Sequence, residues 1–227
     1  MPVPSEGLLC KSSVSTLDFL EPHTQEEIRH EPAFFGASVA FARERGGPIM
    51  QDFLDKLPDI FGEGGVIDSR SHMLMPGWFP CIPGWHHDDV PRPPVPVGQH
   101  FAAGGQPDYV TPAYRSHHVM VLVGAAVAPT QFARGTIHLP HVPDGEVIYR
   151  HWHNVVDEAV ASGALRVREA QEGELLSFND RSLHQGVPAR FSGWRHFIRI
   201  SFGSDRKPVN ELRGQTQVYL PAPMAGW

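Results

Sequence analysis

The segment Gly84-Trp85-His86-His87-Asp88-Asp89-Val90 places two histidines directly before two aspartates. It contains the pattern His-x-Asp twice, as His86 with Asp88 and as His87 with Asp89. Residues two apart on an extended chain point to the same side, so either pair can bring an imidazole and a carboxylate to one metal ion. The segment therefore predicts a metal site, and by itself it leaves the register of that site open.

A third metal ligand is available far along the chain. His184 follows a short apolar strand and a polar loop, and it opens a second strand. Two histidines and one carboxylate form a facial triad with open coordination positions, the arrangement used by non-haem Fe(II) oxygenases. A bidentate 2-oxo acid and dioxygen fit those open positions, so His184 with either His-x-Asp pair is the first candidate site.

A strand after His184 carries two arginines on one face. The alternation of the segment Gly193-Trp194-Arg195-His196-Phe197-Ile198-Arg199-Ile200-Ser201 puts Arg195, Phe197, Arg199 and Ser201 on the same side. Arginine is almost never fully buried without a partner. The planar guanidinium matches a carboxylate bidentately, so we expect the arginines to bind the carboxylates of a 2-oxo acid.

Together these residues resemble the Fe(II)/2-oxoglutarate-dependent dioxygenases. Trp85 before His86-x-Asp88 matches the Trp-His-x-Asp form common in that superfamily, and a distal histidine followed by arginines completes its pattern. The spacing of Arg195 and Arg199 is similar to the taurine dioxygenase and clavaminate synthase-like branch. There the first arginine grips the distal carboxylate of 2-oxoglutarate, and the second lies near the carboxylate at the metal. Arg199-x-Ser201 also resembles the plant-type branch, so the choice of main anchor stays open.

The resemblance implies a cofactor set and a reaction. Fe(II) would be bound by His86, Asp88 and His184, with His87 and Asp89 as the alternative register. The co-substrate 2-oxoglutarate would be held by Arg195, Arg199 and Ser201, and by Thr136, because a threonine or asparagine from that part of the fold often contacts it. With O2, the implied reaction is decarboxylation of 2-oxoglutarate to succinate coupled to C–H hydroxylation of an amino acid or a natural-product intermediate.

Two other classes of protein remain open. A cupin-type metalloenzyme, either an isomerase or a 2-oxoglutarate-independent dioxygenase, would use a similar barrel and triad without needing Arg195. A non-catalytic ligand-binding barrel would tolerate the loss of Asp88 with no change in function. The substrate, the outcome of the reaction (hydroxylation, desaturation or cyclisation) and the oligomeric state, with a homodimer as one arrangement, are not determined by these residues.

Composition narrows the class of protein further. The chain has 227 residues, of which 41% are hydrophobic, so we expect a single domain with an ample core. Two cysteines far apart and no apolar run of membrane-spanning length predict a soluble cytoplasmic protein. A net charge of -6 without a run of lysine or arginine makes nucleic acid a poor partner and favours a basic or small neutral substrate.

The elements that must position these residues are mainly strands. Short strands with turns between them predict a closed or double-sheet antiparallel architecture, specifically a double-stranded β-helix (jelly roll) with flanking α-helices. We expect a helical and extended lead-in over about residues 1–60, with a helix from Pro48. Strands are expected at 66–75, 118–127, 130–139, 165–169 and 175–178, with a hairpin turn at 171–173 and a helix at 147–161. The loop at about 91–115, with Tyr109 and Tyr114, is predicted to be a lid.

Overall fold

The computed structural model describes residues 7–61, 64–91, 108, 112–142 and 148–220. Within them the α-helices are α1 Gln25–His30, α2 Val39–Arg45, α3 Pro48–Asp55 and α4 Ile148–Ala161. The strands are β1 Leu8–Ser12, β2 Ser15–Phe19, β3 Phe34–Phe35, β4 Ala37–Ser38, β5 Val66–Leu74, β6 His117–Val123, β7 Thr130–Leu139, β8 Arg166–Glu169, β9 Glu174–Asn179, β10 His184–Gly186, β11 Gly193–Phe202 and β12 Glu211–Leu212. None of the described helices is both long and apolar enough to cross a membrane. The chain is therefore mainly β with few helices, as its sequence predicts.

The larger sheet has six antiparallel strands in the order β2-β9-β6-β11-β5-β4. Its inner strand β6 is apolar from Val119 to Val123, as expected for a strand that is buried on both faces. Val119, Val121 and Val123 pack toward helices α1 to α3, while Met120 and Leu122 join a cluster with residues of β7 and β9. The sheet is thus the middle layer between the helices and a second sheet.

The smaller sheet is built around β7, which pairs with β1, β10 and β8, all antiparallel. Phe132 of β7 packs against Phe178 of β9 with ring centroids 5.2 Å apart, so the two sheets meet face to face. On the outside of this sheet, α4 buries Ile148, Trp152 and Val156 in an apolar cluster. The space between the two sheets is where a ligand pocket can form.

The turn at residues 171–173 does not make the predicted hairpin. β8 pairs with β7 in the smaller sheet, whereas β9 pairs with β2 and β6 in the larger sheet. The turn, with Gly173 at a φ of 65°, therefore carries the chain from one sheet to the other. From the sequence, two strands joined by a short turn predict a hairpin. Only long-range strand pairing distinguishes a hairpin from a connection between two sheets.

The helical layer is fixed by a buried carboxylate. Glu31 accepts hydrogen bonds from the backbone N–H groups of Gly47, Ile49 and Met50 at 2.9 to 3.1 Å, which caps the start of α3. Pro48 occupies the first turn of α3, as the sequence predicts. The predicted lid lies almost wholly outside the described residues, and Tyr109 with it. Tyr114 is described and half-buried.

Candidate metal centre

The two histidines of the candidate site are joined through their backbones. The N–H of His86 donates to the carbonyl of His184 at 3.0 Å, and the N–H of His184 donates to the carbonyl of His86 at 3.1 Å. This isolated antiparallel bridge adds the segment before His86 to the edge of β10, which in turn pairs with β7. Residues almost a hundred positions apart are thereby held at a fixed spacing by the smaller sheet.

Each histidine presents one ring nitrogen to the same point. His86 Nδ1 lies 2.8 Å from the carbonyl of Gly84, and His184 Nδ1 lies 2.9 Å from the carbonyl of Ser182. A carbonyl only accepts, so in each ring Nδ1 is the donor and Nε2 keeps its lone pair for a metal. This fixes the tautomer that a metal-binding histidine needs.

The donor set fits a cation. His86, Asp88 and His184 each offer a ligand atom, and these atoms all lie within 4.8 Å of one another. His184 Nε2 is 3.1 Å from Asp88 Oδ2. A nitrogen lone pair and a carboxylate oxygen are both acceptors, so this approach is favourable only with a proton or a metal ion between them. Two imidazoles and one carboxylate form the facial set of a non-haem Fe(II) site.

Arg199 neutralises the charge of Asp88 and contacts the same carboxylate oxygen as His184. Its NH1 atom donates to Asp88 Oδ2, and its NH2 atom lies 3.4 Å from Asp68 Oδ2. Burial raises the pKa of Asp88, but the charge of Arg199 and the contact with His184 outweigh burial and hold the pKa of Asp88 well below its usual range. Burial, with a smaller effect from His184, lowers the pKa of His86 to about 4. The site therefore presents an ionised carboxylate and a neutral His86 at neutral pH.

Arg195 has a different environment. Its side chain is 3% exposed, its Nε atom donates to the carbonyl of Ala128 at 2.8 Å, and its NH2 atom donates to Thr130 Oγ1 at 3.3 Å. No aspartate or glutamate among the described residues forms an ion pair with it. Burial lowers the pKa of Arg195 to about 10, so it stays charged at neutral pH. A buried arginine without a counter-ion is costly, and its environment is suited to an anionic ligand.

The second His-x-Asp register points elsewhere. His87 is buried beside Trp152, with ring centroids 5.8 Å apart, and its Nε2 lies 3.7 Å from Cys10 Sγ. Asp89 has a φ of 45° and lies 3.6 Å from Arg206. In the structure, His86 and Asp88 therefore lie beside His184. His87 packs in the surrounding core, and Asp89 belongs to an ion-pair network.

Two residues predicted to hold 2-oxoglutarate lie outside the pocket. Ser201 is buried and its hydroxyl is 2.9 Å from His118 Nδ1, in a separate polar cluster. Thr136 is exposed on β7, opposite Lys11 of β1. The threonine that contacts Arg195 is Thr130, which lies six residues earlier on the same strand. Strand alternation cannot distinguish the two threonines, because both have the same parity on β7.

A pocket of about 460 Å³ connects these groups. It is lined by His86, Asp88, His184, Arg195 and Arg199, and by the apolar side chains of Met120, Phe178 and Phe197. It also includes residues that the sequence analysis did not identify: Asp68, Arg70 and His72 of β5, and Arg206, Arg213 and Tyr219 of the C-terminal segment. The charged and imidazole side chains at Asp68, Arg70 and His72, two residues apart on one strand, were the available signal for β5. No feature of the sequence indicated that Arg206, Arg213 and Tyr219 would line the pocket.

Comparison with known proteins does not identify a family for this chain. No protein-family model matches the chain, and no curated protein matches it. Among solved structures, the chain is similar to one described as CytC3 with Fe(II) and alpha-ketoglutarate. The sequence identity is 11%, the TM-score is 0.37, and the match covers 85% of this chain and 74% of that chain. A likeness this low says nothing about the residues of the site, so the function is argued from the chain's own geometry.

Proposed function

We propose that this protein is an Fe(II)- and 2-oxoglutarate-dependent oxygenase acting on a small molecule. One juxtaposition carries the proposal: a two-histidine, one-carboxylate group lines the same pocket as a buried arginine that has no acidic partner among the described residues. The first needs a metal ion and the second needs an anion. A 2-oxo dicarboxylic acid satisfies both, because one end chelates the metal and the other end is a carboxylate.

The strand order supports a double-stranded β-helix for this oxygenase. β5, β11, β6 and β9 are neighbours in the larger sheet, and the segment at His86, β10, β7 and β8 are neighbours in the smaller sheet. Consecutive strands from β6 to β11 alternate between the sheets apart from the pair β7 and β8, which is the order expected when a jelly roll is wound from a long hairpin. We propose that the lead-in of about residues 1–60 belongs to the same single domain.

Each side chain of the site has a defined task in this proposal. His86, Asp88 and His184 would hold Fe(II), and the bound metal with 2-oxoglutarate supplies activation of O2 for oxidative decarboxylation and C–H oxidation. Gly84 and Ser182 orient the two imidazoles through their carbonyls.

Two different arginines contact the two carboxylates of the proposed site. Arg199 orients the Asp88 carboxylate by donating a hydrogen bond to its Oδ2 atom. Arg195, steadied by Ala128 and Thr130, would receive the distal carboxylate of 2-oxoglutarate as a charge-assisted hydrogen-bonded pair. The apolar side chains of Phe178 and Phe197 exclude water from the space between.

The test is spectroscopic and needs no substrate. Fe(II) and 2-oxoglutarate are added without oxygen to the metal-free protein, and the weak visible charge-transfer band of the chelate is recorded. We expect the band in the wild type and in Arg134→Met, a control at an exposed arginine of β7. We expect it to be lost in Asp88→Ala, and in Arg195→Met at moderate 2-oxoglutarate concentrations.

One outcome of this experiment would contradict the proposed function. Wild-type protein that binds iron and shows no band at any 2-oxoglutarate concentration would overturn the proposal. It would favour a metalloenzyme of the cupin type that does not use 2-oxoglutarate.

A further inference from the structure

One face of the β5–β11 pair carries alternating charges toward the pocket. The antiparallel register places Asp68 opposite Arg199, Arg70 opposite Phe197, and His72 opposite Arg195. All six side chains line the pocket. Arg70 therefore lies in the middle of this face, diagonal to both Arg195 and Arg199, at a spacing that long side chains can bridge.

The three arginines of this face have unequal partners. Arg199 forms ion pairs with Asp68 and Asp88, and Arg195 is fixed by Ala128 and Thr130. The side chain of Arg70 forms no hydrogen bond or ion pair with any residue that the structure describes. It is half-buried, whereas Arg195 is 3% exposed, so Arg70 lies on the more accessible side of the pocket. A half-buried guanidinium with five free donors is a ready binding group for an oxyanion.

The charges that line the pocket favour the binding of an anion in addition to 2-oxoglutarate. Its described lining contains six arginines against three aspartates, Asp68, Asp88 and Asp89. Fe(II) and the 2-oxoglutarate dianion cancel each other, so the excess of three positive charges remains when both are bound. The chain as a whole carries a net charge of -6, and this excess is therefore local to the pocket. The basic or neutral substrate suggested by the overall charge does not fit this lining.

The remaining cations near Arg70 are already engaged. Arg206 lies 2.6 Å from Asp68, and Arg213 donates through Nε to the carbonyl of Phe34 at 2.9 Å while its guanidinium lies 4.7 Å from the Phe35 ring centroid. These contacts hold two positive charges in place at the pocket wall, and Arg150, the sixth arginine of the lining, is exposed to solvent. On the β5–β11 face, Arg70 is therefore the arginine whose side chain has no partner among the described residues.

We propose that Arg70 binds an oxyanion group of the primary substrate, of the carboxylate, sulfonate or phosphate class. The inference rests on the proposed function, since it treats Arg195 as the site of the co-substrate and assigns the second anion to the molecule that is oxidised. It defines the substrate class as acidic small molecules and makes Arg70 a specificity-determining residue.

The test uses inorganic sulfate as a probe of the Arg70 site. Sulfate is titrated calorimetrically into anaerobic protein already saturated with Fe(II) and 2-oxoglutarate, at constant ionic strength kept with chloride. We expect saturable binding to the wild type, weakened about 10-fold or more in Arg70→Met, because an ionic hydrogen-bonded contact is lost. Arg70→Lys keeps the charge but not the fork, so it should lie between the two. Arg134→Met is the matched control and should bind sulfate as the wild type does.

The readouts separate this inference from the proposed function. Absence of the charge-transfer band in the wild type overturns the proposed function and this inference with it. A normal band with no saturable sulfate binding, or with equal binding by wild type and Arg70→Met, overturns the Arg70 inference alone. Loss of 2-oxoglutarate affinity in Arg70→Met would assign the residue to the co-substrate and would also overturn it. Equal melting temperatures of the variants and the wild type establish that the differences are not due to unfolding.

Discussion

His86 and His184 exchange a pair of backbone hydrogen bonds of 3.0 and 3.1 Å while their side chains converge on Asp88. The same pairing that joins two distant segments also sets the distance between two ligand atoms. His87, one residue further on, must then point away from the site, because successive side chains on an extended chain alternate. The choice between the two His-x-Asp registers follows from this pair.

The first prediction tests that register. His86→Gln should weaken Fe(II) binding by more than the roughly 10- to 100-fold that loss of a supporting contact costs, because a ligand itself is removed. His87→Gln should leave Fe(II) affinity unchanged and lower the melting temperature, because His87 is buried against Trp152. Anaerobic Fe(II) titration and thermal unfolding of both variants provide the measurements. Loss of iron affinity in His87→Gln alone would show that the other register is used.

The second prediction separates the two arginines. Arg199 contacts the Asp88 carboxylate, so Arg199→Met should weaken Fe(II) binding by about 10- to 100-fold, the usual effect of removing a group that orients a ligand. Arg195 contacts no metal ligand, so Arg195→Met should leave Fe(II) affinity intact and weaken 2-oxoglutarate binding. Titrations of metal first and of 2-oxoglutarate second, followed by the charge-transfer band, distinguish the two. The reverse pattern would make Arg199 the anchor.

The third prediction compares two threonines on one strand. Thr130→Val removes the hydroxyl that accepts a hydrogen bond from Arg195, and it should weaken 2-oxoglutarate binding by about 2- to 10-fold. Thr136→Val, at an exposed position of the same strand, should have no effect on 2-oxoglutarate affinity. A weaker affinity in Thr136→Val than in Thr130→Val would contradict the placement of the distal carboxylate at Arg195.

The fourth prediction concerns stability. Asp68 is 6% exposed and forms ion pairs with Arg199, Arg206 and Arg213 at 3.4, 2.6 and 3.6 Å. Asp68→Asn leaves these cations without their common partner, and it should lower the free energy of unfolding by about 3 kcal/mol. Urea unfolding at pH 7 measures this, with Asp55→Asn as the control because its ion pair with Arg43 is exposed.

The same aspartate gives the fourth prediction a pH dependence. Burial raises the pKa of Asp68, but the hydrogen bond from Arg206 and the charges of Arg199 and Arg206 outweigh burial, so its pKa in the folded protein lies below the ordinary value of 3.8. A lowered pKa contributes stability above the unfolded pKa, and that contribution is lost as the pH falls through the folded pKa. The stability difference between wild type and Asp68→Asn should therefore shrink as the pH falls below about 5. A difference that stays constant down to pH 3 would assign it to packing.

Local pattern determined a large part of this protein. The period of two on β11 put Arg195, Phe197 and Arg199 on one face, and the spacing of His86 and Asp88 made them a candidate ligand pair. Pro48 marked the start of α3, and the apolar run at β6 marked a strand buried on both faces. These features depend on neighbours along the chain, so the sequence suffices for them.

Long-range pairing decided the rest. Which histidine faces His184, which threonine of β7 reaches Arg195, and whether β8 and β9 form a hairpin all depend on strands that are distant in sequence. Three arginines on one face also have different partners. Arg199 forms ion pairs with Asp68 and Asp88, and Arg195 donates to a carbonyl and a hydroxyl. The side chain of Arg70 has no partner among the described residues. Alternation gives the direction of a side chain, but the charge it meets is set by the tertiary structure.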